Sequence, residues 1–189
     1  VEALERFRKV HSGDHAEVAR TLKNLGSTWR VLRRPEDSER VLRESAAMWR
    51  RLFPDGHPEL ADALGGLAVL CRDTGRPTAA EPLLGEVIAI RRQCLGDAHP
   101  ELAKALSLLG DLSLQRNDLA AALPCFREAQ AIFAKAHAGD HPDTAALHLR
   151  LAGALLDTGA PAEARDHFQA ALDMMQRLGQ GGAGMAVAW

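Results

Sequence analysis

A 42-residue repeat is the feature that most constrains the fold of this chain. Histidines recur at that spacing, inside the strings GDHAEVA, DGHPELA, DAHPELA and GDHPDTA. A period of this length is typical of arrays in which each copy is one supersecondary unit and neighbouring copies bury a common core. The register predicts four copies, at residues 14–55, 56–97, 98–139 and 140–181.

The two ends of the sequence fall outside the four copies. Residues 1–13 align with the end of a copy, which predicts the second helix of a truncated preceding repeat. Because the chain also begins with Val1, we expect it to be a segment of a longer protein. Residues 182–189 follow glycines and are predicted to form a flexible apolar tail, which either docks in a groove or reflects truncation.

Each copy is predicted to form two α-helices. Apolar and small residues recur at i, i+3, i+4 and i+7 in two successive segments, which is the spacing of one helix face. Prolines suited to a first turn mark the starts of the first helices at Pro58, Pro100 and Pro142, and of the second helices at Pro35, Pro77 and Pro161. The break between the helices falls at Gly75, Asn117 and Gly159, with Arg33 in copy one.

Columns of small and bulky residues predict how the helices pack. The small columns are Gly26, Ala68, Gly110, Ala152 and Ser38, Ala80, Ala122, Ala164; the bulky columns are Leu25, Leu67, Leu109, Leu151 and Leu42, Leu84, Phe126, Phe168. A Gly or Ala that faces a Leu or Phe lets two helices approach to about 8–10 Å. Since strand signals are absent, the sequence predicts an all-α fold.

These columns and the entry to the copies, which reads G-D-x-H-P in full at residues 96–100, resemble the tetratricopeptide repeat, in the 42-residue form found in kinesin light chains. The resemblance covers nearly the whole chain. It implies a right-handed α-solenoid of antiparallel helix pairs whose concave inner wall, built from first helices, binds proteins or peptides.

Composition narrows the classes of partner. The net charge of −2 argues against nucleic-acid and membrane-surface binding, which usually need a basic excess. Three cysteines without a C-x-x-C pattern signal neither a disulfide framework nor a zinc site, and a reduced, cytoplasmic setting fits best. We expect no cofactor and no metal.

The histidine column is predicted to cap or pack at loop-to-helix junctions. Residues one repeat apart lie on the order of 10 Å from each other, so consecutive column histidines cannot share one metal ion. The i, i+4 pairs His11–His15 and His137–His141 leave a metal site open as an alternative. No motif of nucleophilic, phosphate-binding or metalloprotease chemistry occurs, and we expect no enzyme activity.

Function is expected on the inner wall, which grades from basic to apolar along the chain. Arg30 and Arg72 share a column and are suited to gripping a carboxylate. Asn24 joins the set through the resemblance, since kinesin-light-chain-type repeats carry asparagines there that bind peptide backbone. The alternative is a solvated helix face. The predicted binding residues are Arg20, Lys23, Asn24, Ser27, Arg30, Asp62, Val69, Arg72, Lys104, Ser107, Asp111, Leu114 and Leu149.

The sequence therefore favours a non-catalytic scaffold that binds a protein or a linear peptide with an acidic end, as the interaction segment of a larger bacterial protein. The alternative function is a sensor of a small molecule or short signalling peptide, for which glycines 65, 66 and 153 leave room. Weak end-to-end self-association is also expected, because the stripe of Phe168, Leu172 and Met175 has no evident cap.

Overall fold

The computed structural model describes the backbone of residues 13–186 and the side chains of residues 13–179. This part of the chain holds eight α-helices and no strand, as the all-α prediction requires. The helices are α1 Ala16–Val31, α2 Pro35–Leu52, α3 Pro58–Asp73, α4 Pro77–Leu95, α5 Pro100–Gln115, α6 Leu119–Ala136, α7 Pro142–Asp157 and α8 Pro161–Ala186. Each predicted copy therefore contributes a first helix and a second helix, and all six prolines lie at the predicted helix starts. The helix predicted within residues 1–13 falls almost wholly outside the described residues.

The chain divides into two compact units, Val1–Gly96 and Asp97–Trp189. In the first unit, α1 packs antiparallel against α2, α3 packs against α4, and α2 also contacts α3. In the second unit, α5 pairs with α6, α7 pairs with α8, and α6 contacts α7. Within each unit the second helix of one copy is thus covered by the first helix of the next, which is the packing that the repeat predicts.

The histidine column caps the first helices. Each imidazole Nδ1 accepts the backbone N–H of the acidic residue two positions later, at 3.2–3.3 Å. The bond satisfies one of the amides that a helix leaves unpaired at its start. The pairs are His15–Glu17, His57–Glu59, His99–Glu101 and His141–Asp143. The predicted capping role is confirmed.

In each copy, the first helix is followed by a residue whose backbone lies in the left-handed region. The predicted break residues all have positive φ, namely 58° at Arg33, 71° at Gly75, 59° at Asn117 and 77° at Gly159. The amide that follows each of them donates to the carbonyl five residues earlier at 2.8–2.9 Å, which is the Schellman closure. All four copies therefore end their first helix by the same backbone geometry.

Small residues lie directly beneath bulky ones in the core. A Cβ placed on Gly26 would be 2.5 Å from Cγ of Leu42, and one on Gly110 would be 2.5 Å from Cε1 of Phe126. Separations this short leave no room for a side chain, so the helices of each pair are held at the distance that glycine permits.

Buried hydroxyls also join α1 to α2. Ser38 Oγ donates to the carbonyl of Gly26 at 2.8 Å, and Ser45 Oγ donates to the carbonyl of Ala19 at 2.7 Å. Both serines are fully buried, and their polar atoms are satisfied by backbone acceptors rather than by water.

Two features differ from the predicted pattern. Phe168 is 40% exposed, although Leu84 and Phe126 in the same column are 1% and 0% exposed, because no described helix lies over this side of α8. The α8 backbone also stays helical to Ala186, beyond the residue 182 at which the tail was predicted to begin. Residues 187–189 lie outside the described part of the chain.

Candidate functional site

The strongest candidate surface lies in the first unit, where the first helices α1 and α3 are neighbours. We call it the α1–α3 surface and define it by the predicted residues Arg20, Lys23, Asn24, Ser27, Arg30, Asp62, Val69 and Arg72. Asn24 and Ser27 are exposed, while Val69 is half-buried. The structure thus brings the predicted residues of copies one and two onto one face.

Ion pairs between α1 and α3 neutralise much of the expected basic charge. Lys23 Nζ lies 3.0 Å from Oε2 of Glu59 and 3.7 Å from Oδ2 of Asp62. Arg20 reaches the other oxygen of Glu59 at 3.2 Å. Asp62 also accepts from the buried Arg91 of α4 at 3.1 Å. The basic residues predicted at this end of the inner wall are therefore paired with carboxylates of the chain itself and form a ladder of paired charges.

Arg30 and Arg72 meet at one carboxylate of the chain itself. Arg30 Nη1 donates to Oδ2 of Asp73 at 2.8 Å, while Arg72 donates to Oδ1 through Nε at 3.2 Å and Nη2 at 2.9 Å. The side chains of Arg30, Arg72 and Asp73 are 34%, 29% and 31% exposed. The structure thus brings the two arginines together at Asp73 of the chain itself, and binding of a partner's carboxylate at this place stays a prediction.

Electrostatics support the ionised state of both acidic partners. Burial alone would raise the pKa of Asp73, but hydrogen bonds from Arg72 and Arg30 outweigh it and hold the pKa below its usual value. Burial also tends to raise the pKa of Glu59. The hydrogen bonds from Lys23 and Arg20 outweigh burial, so the pKa of Glu59 lies below its usual value. Both carboxylates are therefore charged at neutral pH, and the ladder is intact there.

In the second unit the first helices are α5 and α7, and they carry fewer charges. Lys104 of α5 pairs with Glu101 at 2.9 Å and with Asp143 of α7 at 3.4 Å, and these contacts raise the pKa of Lys104, the Glu101 hydrogen bond most. Asp111 accepts both contacts of Arg150, at 2.9 and 3.0 Å.

Apolar residues complete this second face. Leu149 is 39% exposed and Leu114 is half-buried. Ser107 does not belong to the surface as predicted, since it is only 8% exposed and its hydroxyl donates to the carbonyl of Ala103 at 2.8 Å. The prediction that helical spacing places Ser107 on the binding surface is therefore wrong.

The sequence did not predict several of the charged partners on the first helices of either unit. Glu59, Asp73, Asp143 and the basic Arg150 were not among the predicted residues, yet each pairs with one that was. Their signal is opposite charge at a separation of 36–43 residues, close to one repeat, on successive first helices. That spacing places two side chains at the same height on neighbouring helices.

The His137–His141 pair is held in an aromatic stack. The ring of His137 lies 4.9 Å from that of Phe133 and 3.6 Å from that of His141. Both Nδ1 atoms are engaged, one with Thr144 Oγ1 at 2.9 Å and the other as the helix cap. Burial and the neighbouring His141 lower the pKa of His137. Among the described residues, no group of three or more His, Cys, Asp and Glu side chains is arranged to hold a metal ion, and His11 lies outside them.

Two of the three cysteines, Cys71 and Cys125, lack the environment of a nucleophile. Burial raises the pKa of Cys71 and of Cys125, which keeps these thiols protonated, whereas a reactive cysteine needs a lowered pKa. A histidine, His167, occupies the position of Cys125 in the next copy, and its Nδ1 lies 2.8 Å from Nδ1 of His148.

The glycines expected to leave room for a ligand behave differently from one another. A Cβ on Gly65 or Gly153 would meet no atom within 4 Å, so both face open space. A Cβ on Gly66 would be 3.1 Å from Cδ2 of Leu42, so Gly66 serves helix packing. Within the described residues, no helix is both long enough and apolar enough to cross a membrane.

Comparison with known proteins gives a family match along most of the chain. The model of the Tetratricopeptide repeat family matches residues 29–93, 59–135 and 101–177. Among curated proteins, none matches the chain.

Solved structures share the fold at low sequence identity. BtubC (BKLC) from P. vanneervenii has a TM-score of 0.85 at 16% identity, over 94% of this chain and 71% of that one. A putative kinesin light chain of Podospora anserina, with nearly identical TPR-like repeats, has a TM-score of 0.75 at 21% identity, over 87% and 78%. Aspartyl phosphate phosphatase F of Bacillus subtilis has a TM-score of 0.76 at 14% identity, over 88% and 42%. Likeness at these identities concerns the fold alone.

Proposed function

The chain belongs to the tetratricopeptide repeat family, whose domains generally serve as protein-binding scaffolds, and from that premise we propose that it is a non-catalytic scaffold that binds a protein or linear peptide on its α1–α3 surface. The observation that carries the proposal is the convergence of Arg30 and Arg72 on Asp73. It places two partly exposed guanidinium groups side by side on first helices.

Guanidinium donors remain for a partner. Each arginine carries five N–H donors, and the contacts with Asp73 use Nη1 of Arg30 and Nε and Nη2 of Arg72. The cluster holds two positive charges and one negative charge. A carboxylate of the partner would balance that excess and form charge-assisted hydrogen bonds, which are the stronger class.

The second unit supports an apolar part of the same ligand class. Leu149 and Leu156 of α7 are 39% and 49% exposed, while Lys104 pairs with Asp143 and Arg150 pairs with Asp111. We therefore propose that α1 and α3 of the first unit bind an acidic region of a partner, and, taken by itself, that α7 of the second unit binds an apolar region. The sensor alternative has support only from the open space at Gly65 and Gly153 and stays a prediction.

The test is capture of partners from lysate by the chain and by a double charge reversal, Arg30→Glu with Arg72→Glu. The matched control reverses Arg127 and Arg165, which are 60% and 78% exposed on second helices. We expect the first variant to lose its bound proteins and the control to keep them. Unchanged capture by the first variant would contradict the proposal, and thermal unfolding of both variants checks that they are folded.

Self-association through α8 is a second proposal with its own observation. Phe168, Leu172 and Met175 lie at i, i+4 and i+7 and are 40–47% exposed, whereas Leu42 and Phe126 in the Phe168 column are buried by a neighbouring helix. A second copy would cover the stripe. Light scattering should show a mass that rises with concentration and becomes constant after Leu172→Lys; a constant monomer mass for the parent chain would contradict this.

A further inference from the structure

The turn between α1 and α2 departs from its three repeat equivalents at consecutive positions. Copy one has Val31-Leu32-Arg33 where copy two has Asp73-Thr74-Gly75, copy three has Gln115-Arg116-Asn117 and copy four has Asp157-Thr158-Gly159. The chain therefore contains three versions of the same turn that are polar and end in Gly or Asn. They serve as internal references for the unusual one.

Arg33 is unfavourable for this backbone. Its φ is 58°, in the left-handed region that only Gly, and sometimes Asn or Asp, adopts routinely. The amide of Arg34 closes the turn on the carbonyl of Trp29 at 2.9 Å, just as Arg76 does on Cys71 at 2.8 Å. Since Gly75 supports the same closure without a side chain, the geometry of the turn does not explain an arginine. Strain kept at one position is a reason to look for a role of its side chain.

Two large apolar side chains beside Arg33 face solvent. Val31 is 71% exposed and Leu32 is 62% exposed, the highest values among large hydrophobic residues of the described part. Their equivalents Asp73 and Thr74 are also exposed, although a complete helix pair precedes them in the first unit. This position in the turn is thus exposed in copy two, where a complete helix pair precedes it, and an apolar pair at an exposed position contributes nothing to the core.

Among the residues whose side chains the structure describes, the charged groups around the turn leave Arg33 without an ion pair. Arg34 and Arg40 lie over the ring of Trp29, at 5.4 and 5.8 Å from its centroid, and both pair with Asp37 at 2.5 and 3.6 Å. The side chain of Arg33 has no hydrogen bond or ion pair within residues 13–179. Within residues 13–179, the Arg33 guanidinium therefore lies unpaired beside two apolar side chains, while Arg34 and Arg40 are already paired with Asp37.

We propose that Val31, Leu32 and Arg33 form a second docking site, separate from the α1–α3 surface, for a protein segment that presents apolar side chains next to a carboxylate. The apolar pair would bury leucine-like side chains of the partner, and Arg33 would bind the adjacent acid in a charge-assisted pair. An anionic membrane is the less fitting occupant, because its attraction grows with the number of free basic residues and this site has one.

The test uses a synthetic probe and the chain's own turn as a replacement. The probe is the capped peptide acetyl-Gly-Asp-Leu-Leu-Asp-Gly-amide, and the control peptide carries Lys at both Asp positions. Backbone amide NMR shifts of the full chain are followed during titration. The variant Val31→Asp, Leu32→Thr, Arg33→Gly installs the copy-two sequence, which the chain already folds with, and Arg33→Gly alone removes the charge and the strain.

We expect amide shifts at residues 31–34 with the acidic probe, about tenfold weaker apparent affinity in the triple variant, and weak or no shifts with the lysine peptide. Thermal unfolding should show both variants to be at least as stable as the parent, since each relieves the left-handed arginine. Shifts that are absent from residues 31–34, that are confined to Arg30 and Arg72, or that are equal in the triple variant would overturn the proposal. Binding of phosphatidylserine vesicles without binding of the acidic probe would overturn it as well.

Discussion

Arg30 and Asp73 are 43 residues apart in sequence and form a 2.8 Å ion pair between successive first helices. This pair holds Arg30 beside Arg72 on the α1–α3 surface, because Asp73 accepts from both arginines. The same contact links function to stability. A partner carboxylate would bind beside Asp73, the carboxylate of the chain itself. The strength of the Arg30–Asp73 pair therefore affects the affinity for the partner.

Asp73→Asn should lower stability at neutral pH and have no effect in acid. The folded pKa of Asp73 is lowered relative to the unfolded chain, so its contribution is present above about pH 4 and is lost as the pH falls through the folded value. We expect a loss of about 0.2–1 kcal/mol in the free energy of unfolding at pH 7, measured by urea denaturation. The control Asp157→Asn changes the copy-four equivalent. Equal effects of the two variants at pH 7 would count against the Asp73 pairs.

Gly110→Ala and Gly153→Ala should have opposite effects, although both replace a glycine of a first helix in the second unit. The new Cβ at 110 would overlap the ring of Phe126, and overpacking of this kind costs about 1–3 kcal/mol. The new Cβ at 153 meets open space, and the better helix propensity of alanine should stabilise by about 0.5–1 kcal/mol. Chemical denaturation measures both. If Gly110→Ala proved neutral, the close approach of α5 and α6 would be wrong.

His99 should be replaceable by asparagine but not by alanine. Its Nδ1 accepts the amide of Glu101 at 3.2 Å, and an asparagine side chain can accept the same bond. We expect His99→Ala to destabilise by about 1 kcal/mol and His99→Asn to change stability by a few tenths. Thermal unfolding of the two variants at pH 7 decides. An asparagine variant as unstable as the alanine variant would show that the histidine does more than cap α5.

Acid should weaken the second unit through the His148–His167 pair. Burial, and then the neighbouring His167, lower the pKa of His148, so its neutral form is favoured in the fold. The contribution is therefore present above the unfolded pKa of about 6.5 and is lost as the pH falls below it. The column of His148 holds Leu22, Leu64 and Leu106, which are 0%, 1% and 4% exposed.

The variant His148→Leu with His167→Leu restores the apolar pattern of that column and should flatten the dependence of the unfolding midpoint on pH between 7 and 5. Urea midpoints of parent and variant at three pH values measure the effect. Parallel pH profiles would exclude the pair as a source of acid sensitivity.

Much of the fold is predictable because each repeat position meets the same neighbours. Pro58 and Pro100 begin helices as predicted, and the histidine column caps the first helices as predicted. The pattern fails where a copy lacks an equivalent neighbour. Phe168 follows the column of Phe126 yet remains exposed, since exposure depends on the covering helix and not on the residue.

The candidate site was predicted only in part, because periodicity identifies a face but not the partners on it. Arg30 and Arg72 were placed together correctly, since a common column brings residues to equal height. Asp73, which joins them, lies one residue outside that column, and Glu59 lies outside the columns used to predict the wall. Long side chains form ion pairs between residues of different columns. Which pairs form depends on the side-chain rotamers, and the spacing of residues in the sequence does not predict these.

The most direct test of the account is a hydrogen-exchange footprint of the complex with a partner captured by the chain. We expect slowed exchange in α1 and α3 of the first unit, with the protection at Arg30 and Arg72 lost in the doubly charge-reversed variant. Protection confined to the second helices α2 and α4, with no change in α1 and α3, would contradict it.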